Sequence, residues 1–312
     1  MSGSGLAVAD NEDRATDLLI WAENGRKRIA EQITLPLAPF AVIEVSGHDL
    51  SPVARAALES AGYTVILEWL SPATVQQQIE ENVARSVRQQ MVAAGIEGEQ
   101  LEEIVKSAVA QLAVQRTPGA VMQRDSIVVP HELAHKWLAR AFWPDEAGRP
   151  GQYATPAPDW LDEMIALIAE PDHSHVERRE QFWNLYRSDL LAGVEPRFAD
   201  LLAFLAATHP MEGRMDRQGR GFTVQVFDTN DPAFKGVNPA EYYLQALLFW
   251  DFLRAQGLND AVLNRLLVEV ASGGSLEQFL ATDGAHLGLP QTLAELAVRW
   301  RSWLAETERH LR

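Results

Sequence analysis

The chain has 312 residues, 47% of them hydrophobic and 22% charged, a net charge of −16 at pH 7, and no cysteine. Length and apolar content suit a soluble globular protein with room for a large core and two domains, while the acidic balance argues against nucleic acid and anionic membranes as partners. Without cysteine there are no disulfides and no thiolate ligands, so any metal must sit on His, Asp or Glu. No apolar run is long enough to cross a membrane, and no signal-peptide pattern opens the chain. This predicts a soluble protein, either cytoplasmic or exported with its signal removed.

In chain order, residues 14–33 read as an amphipathic helix. Residues 40–45 and 63–67 are β-branched or aromatic runs that read as strands. Between them, Ser51 can cap a short helix over 51–61, and Gly62 can stop it. This β-α-β pattern predicts a small sheet. Residues 73–93 and 97–115 read as two long charged helices forming a hairpin over about 73–116. The run 126–129 reads as the end of an apolar strand or turn, and Pro130 as the first residue of a helix reaching about residue 142. Residues 144–158 form a Gly/Pro-rich connection. A helix then starts with Asp159 as N-cap and stops at Pro171. Helices follow near 175–192 and 195–208. Residues 210–221 read as a loop and 222–227 as a strand. Asn238 with Glu241 suggests a capping box for a helix that Gly257 ends. Two shorter helices and a long one from Pro290 complete the chain. The expected fold is α+β and mainly α. A small β-containing region, 1–125, packs on a helical region, 126–312, with zinc at their junction.

The chemistry lies in His131-Glu132-Leu133-Ala134-His135. Residues four apart share one face of a helix, so both imidazoles can meet one ion. Glu132, one step round, can hold a water beside it. This points to zinc-dependent hydrolysis. A catalytic zinc needs a third protein ligand, and no further histidine follows closely. The candidates are Asp145, Glu146, Asp162, Glu163 and Glu170. Glu163 is favoured because it sits one turn into a helix, which presents a ligand rigidly. Glu170 reads as a surface charge or as a support behind a ligand. His173, His175 and His209 read as turn and loop residues. Arg214, Arg217 and Arg220 read as a solvated loop, with the receipt of a substrate carboxylate as the alternative. Trp137, Trp143 and Trp160 read as packing between the helices of the site.

H-E-x-x-H followed by Trp160-Leu161-x-Glu163-x-x-Ala166 resembles the gluzincin metallopeptidases of the peptidase-MA-like superfamily. The resemblance covers residues 126–312. It implies zinc held by His131, His135 and Glu163, Glu132 as general base, and a peptide or protein substrate. Tyr243, with Ala246 three residues on and Phe252-Leu253 nine and ten on, is similar to the transition-state tyrosine of the aminopeptidase branch; Tyr242 is the open alternative. That branch also carries a G-x-M-E-N strand gripping the substrate's amine. Here Gly119-Ala120-Val121-Met122-Gln123 lacks the glutamate, so exopeptidase action is not implied. The rival expectations are a non-catalytic binding or scaffold protein on the same fold, and a zinc hydrolase of a non-peptide substrate.

Overall fold

The computed structural model describes residues 5–34, 37–47, 49–115, 117–145, 155–210 and 238–311. Three strands, β1 (Gly5–Val8), β2 (Phe40–Val45) and β3 (Val65–Leu70), form one parallel sheet in chain order. Phe40 pairs with Gly5 on one side and Val65 on the other. Helix α1 (Glu12–Gln32) connects the first two strands and α2 (Pro52–Ser60) the last two. The β-α-β expectation is met, with Ser51 Oγ accepting the Ala54 N–H and Gly62 at φ +94° ending the turn. Strand β1 was not foreseen.

Period-two alternation divides the sheet's side chains. Ala41, Ile43, Val45 and Ile66 form a small cluster with Leu58 of α2. Phe40, Val42, Val65 and Leu67 join the main core. That core continues through the helices, from Leu18 to Leu304.

The helices are α3 (Pro72–Ala93), α4 (Gly98–Gln115), α5 (Pro118–Phe142), α6 (Asp159–Ala169), α7 (Asp172–Leu191) and α8 (Leu201–Ala206). After them come α9 (Pro239–Ala255), α10 (Asp260–Ala271), α11 (Leu276–Leu287) and α12 (Leu293–Leu311). The protein is mainly helical, as expected. The expected hairpin is α3 with α4, and Arg88 of one grips Glu102 of the other at 2.9 Å. Among the described residues, no helix is long and apolar enough to cross a membrane.

Several boundaries differ from the sequence reading. Residues 126–129 are not a strand, and Pro130 does not start a helix. Both lie inside α5, as does the stretch 119–123. The β-branched run misleads because tertiary packing overrides local propensity. Asp125, Val129, Leu133 and Trp137, spaced four apart, are all buried, which is a helical stripe. Pro130 costs α5 one backbone hydrogen bond, and the packing around it must offset that loss. The segment expected as a helix over 195–208 is helical only at Leu201–Ala206, where Asp200 caps it. The last helix starts at Leu293, not Pro290, because Thr292 Oγ1 accepts the Glu295 N–H. Asn238 caps α9, but Glu241 pairs with Arg197 at 2.7 Å instead of closing a capping box. The strand expected at 222–227, the loop 211–221 and most of the 144–158 connection lie outside the described residues.

Gly25 of α1 marks the tightest approach to α5. A Cβ built there would collide with the Pro130 ring and lie 3.2 Å from the Ala169 carbonyl oxygen. Gly25→Ala should therefore destabilise. Overpacking costs about 1–3 kcal/mol, more than the roughly 1 kcal/mol that alanine gains in helix propensity. Gly119→Ala, whose Cβ meets only Thr117 Oγ1 at 3.9 Å, should be neutral or stabilising. Urea midpoints of the two variants decide the matter, and an unchanged midpoint for Gly25→Ala would contradict this packing.

Candidate metal centre

Helices α5 and α6 build the site together. His131 and His135 lie one turn apart on α5, with ring centroids 4.9 Å apart. Leu133, Ala134, Trp137 and Leu138 bury the rest of that helix. Trp137 packs edge-on against Phe40 of the sheet and donates to the Ala38 carbonyl at 3.1 Å. Trp160 of α6 packs edge-on against Phe249 of α9. Two of the three tryptophans are thus core residues of the site's walls, and Trp143 lies partly buried against the same core.

The two imidazoles turn their Nε2 atoms toward each other, 3.2 Å apart. Glu163 enters between them. Its Oε2 is 3.4 Å from His131 Nε2, and its Oε1 is 3.8 Å from His135 Nε2. Glu163 is fully buried, yet neither of its oxygens has a hydrogen-bond partner. An ionised carboxylate without donors is among the costliest groups to bury. The contacts at 3.4 and 3.8 Å are therefore charge pairing rather than formed hydrogen bonds. One ligand atom from each of His131, His135 and Glu163 lies within 4.8 Å of the other two.

These residues fit a metal ion. Tetrahedral bonds of about 2.0–2.1 Å to zinc set donor atoms roughly 3.3–3.4 Å apart. The separations of 3.2 and 3.4 Å match that span, and the 3.8 Å between His135 and Glu163 is somewhat wider. A cation here would also satisfy the two carboxylate oxygens that lack donors.

Each imidazole is held from behind. His135 Nδ1 lies 2.9 Å from Asp162 Oδ1, and Asp162 Oδ2 accepts the Thr155 N–H at 3.1 Å. His131 Nδ1 lies 3.0 Å from Glu170 Oε1. Glu170 also accepts from Ser174 Oγ at 2.8 Å and from Arg178 at 2.8 Å. Thus Glu170, at the C-terminal end of α6, supports His131. Asp162 does the same for His135 and is not drawn into the ligand group.

Charge follows from this packing. Burial disfavours a charged His131, but Glu163 and Glu170 outweigh it and raise its pKa well above the ordinary 6.5. Burial opposes the charged form of His135 too, and Asp162 outweighs it, so that pKa is also raised. Burial would push Glu163 up, but His131 and His135 hold its pKa down to about 2. Burial raises Asp162 against the pull of His135.

His209, which the sequence reads as a loop residue, is drawn into the site. Its Nε2 lies 3.5 Å from Glu163 Oε1 and 3.1 Å from the Tyr243 hydroxyl. Asp159, expected as a helix cap, accepts the His209 backbone N–H at 2.5 Å instead. Burial lowers the His209 pKa to about 4, with Glu163 pulling the other way, so this imidazole is neutral at pH 7. Glu132 is half-buried on the same side, within electrostatic reach of His209. No local pattern marks His209. Only the chain's return past α6 brings it in.

Of the two tyrosines, Tyr243 is the one whose ring stands 6.0 Å from His131. Tyr242 packs between Phe204 and His209, and its hydroxyl is buried without a partner. His173 is exposed, and His175 bonds the Leu167 carbonyl at 2.6 Å. Asp145 is exposed. Glu146 and Arg214, Arg217 and Arg220 lie outside the described residues. No known family, characterised protein or solved structure matches the chain.

The shifts fix a sign for metal-free stability. Raised histidine values stabilise fully below the unfolded value near 6.5, and that contribution is lost as pH rises through the folded values. The metal-free melting temperature should therefore fall as pH rises above the ordinary histidine value of 6.5. The slope should be smaller in Glu163→Gln, which lacks the carboxylate that keeps the rings charged. Excess zinc should reverse the trend, because only neutral imidazoles bind it. Melts in chelator and in zinc test this; equal metal-free slopes for the two proteins would contradict it.

Proposed function

We propose that this protein is a zinc-dependent hydrolase, specifically a metallopeptidase of the gluzincin type. The observation that carries the reading is the buried Glu163 carboxylate, without hydrogen-bond donors, facing two converging Nε2 atoms. His131, His135 and Glu163 would hold the ion. Bound there, zinc supplies Lewis acidity toward a carbonyl oxygen and lowers the pKa of water to near neutrality.

The chain's own groups do the rest. Glu132 follows His131 directly and is only half-buried, so its carboxylate can take a proton from the attacking water. It then passes that proton to the leaving amine. The Tyr243 hydroxyl serves as donor to the carbonyl oxygen as negative charge builds there. That role requires His209 to carry its proton on Nε2 and donate to the phenol oxygen, which leaves the phenol proton for substrate. The neutral state of His209 makes this tautomer available. Asp159 helps by fixing the His209 backbone.

Glu132→Gln should separate binding from chemistry. It should retain zinc and the melting temperature while peptide hydrolysis falls by about 10²–10⁴. Alanine at His131, His135 or Glu163 should instead lose the zinc. Elemental analysis beside turnover on a peptide library checks this. Wild-type turnover in Glu132→Gln, or no cleavage by the zinc-loaded wild type, would sink the reading.

The tyrosines should divide similarly. Tyr243→Phe keeps the ring and removes the donor, so kcat should drop by about 10²–10³ with KM little changed. Tyr242→Phe removes a buried hydroxyl that has no partner. Turnover should persist and stability should rise by about 1 kcal/mol. Steady-state kinetics and urea titrations of both variants report the outcome. A damaged Tyr242→Phe beside an active Tyr243→Phe would refute the assignment.

A further inference from the structure

Arg178 plays no part in the reaction just described, yet it touches Glu170, which stands behind His131, and it lies beside the ring of Tyr243. It lies on α7. Its Nη2 donates to Glu170 Oε1 at 2.8 Å and Oε2 at 2.9 Å, and its Nε donates to Oε2 at 3.1 Å. Glu170 in turn stands 3.0 Å from His131 Nδ1. The guanidinium carbon also lies 5.7 Å from the centre of the Tyr243 ring, and that ring is 6.0 Å from His131. Arg178, Glu170, His131 and Tyr243 thus close a ring of contacts, with Glu170 on the ring nitrogen of His131 that faces away from Glu163.

The next residue shows what an ordinary arginine does here. Arg179 makes a similar fork on Asp251 of α9, at 2.6 and 2.8 Å. That pair joins two helices and reaches none of the site residues. The two arginines differ in what lies behind their carboxylates.

A carboxylate that supports a metal-binding imidazole must be ionised and correctly aimed, because it fixes the proton on Nδ1 and leaves the Nε2 lone pair for the metal. Glu170 alone could turn about its side-chain bonds. The planar fork of Arg178 holds both oxygens at once, which a lysine cannot do. The Tyr243 ring offers its π face within cation–π reach of the guanidinium.

We propose that Arg178 is a positioning residue that aims Glu170 at His131 and ties that arrangement to the Tyr243 ring. The proposal rests on the zinc-site reading. It does not depend on what the protein hydrolyses.

The test is zinc affinity, measured by competition with a chromogenic chelator and without substrate. Arg178→Met should weaken zinc binding by about 10–100-fold, the usual effect of losing an outer support. Arg178→Lys should weaken it less, and it supplies the readout if Arg178→Met does not fold. Arg179→Met should stay within about twofold of wild type, even where its melting temperature falls as far. Arg178→Met added to Glu170→Gln should cost no more than about a further twofold, since both act along one path. Tyr243→Leu should weaken binding by about two- to fivefold by removing that π face, while Tyr243→Phe should not. Wild-type affinity in Arg178→Met and Arg178→Lys, an equal loss in Arg179→Met, or an additive double variant would overturn the proposal. A wild type that binds no zinc would overturn this proposal and the zinc site together. Zinc binding without peptide cleavage would overturn the hydrolase reading alone.

Discussion

Everything in the site depends on where Glu163 puts its charge. The residue has no exposed surface, stands on a helix whose other residues are nearly all buried, and receives no hydrogen bond. A neutral interior would expel that charge by protonating it, and burial by itself acts in that direction. Instead the carboxyl is held ionised, because two imidazoles converge on it. Removing their charge without replacing it would leave an isolated buried anion, an arrangement that costs several kcal/mol. The fold therefore has two ways to keep Glu163: protons on the rings, or a cation between them.

The surrounding charges make those two ways equivalent. Three buried carboxylates, Asp162, Glu163 and Glu170, meet three partners, His131, His135 and Arg178. With both imidazoles protonated the set is neutral. With both neutral and one divalent ion added, it is neutral again. Uptake of a divalent ion would then exchange two protons for one dication inside a cluster of constant net charge. This favours a divalent ion over a monovalent one. It also explains how so acidic a group can persist in a core when the ion is absent, at a cost in stability as the pH rises. Glu132 stands outside this balance, half-exposed, which suits its proposed role of gaining and releasing a proton in each turnover.

Much of this was legible in the sequence because helical spacing is a local property. His131 and His135 could only share a face if the segment was helical. Glu163 was placed by its position one turn into a helix and by the W-L-x-E pattern. The 40–67 β-α-β unit announced itself through alternation and a capped, glycine-stopped helix. What failed was what local patterns cannot carry. Ile127-Val128-Val129-Pro130 has strand propensity and a helix breaker, and only the neighbours that bury Asp125, Val129 and Leu133 make it helical. Glu170 was legible as a support only as one of two alternatives, and Asp162 as a candidate ligand but not as a support, because each needs the rotation of α6 against α5. His209 carries no motif, and its place beside Glu163 and Tyr243 is made by long-range packing. Asp159 looked like a cap and serves as an anchor for His209. Strand β1 offers only four residues, too few for a pattern.

The N-terminal sheet is tied to this chemistry through the rotation of α5. Arg14 of α1 donates to Glu44 of β2 at 2.8 Å and to Asp125 of α5 at 2.6 Å, all three being largely shielded from solvent. Asp125 begins the stripe that continues through Val129 and Leu133, so the ion cluster fixes which face of α5 meets the sheet. Burial opposes the charge on Arg14, but Glu44 and Asp125 outweigh it and raise its pKa further. Arg14 is thus always charged. Successive residues on a helix point about 100° apart. A slip of α5 by one residue would swing both imidazoles off Glu163 and bury Glu132 or Leu133's neighbours in their place. Pro130 weakens the helix between Asp125 and His131, where one backbone hydrogen bond is missing. The rotational setting of the H-E-x-x-H turn must then come from tertiary contacts on both sides of the proline, with Arg14 and Asp125 before it and Trp137 against Phe40 after it. The small sheet is on this argument the reference against which the metal ligands are aimed.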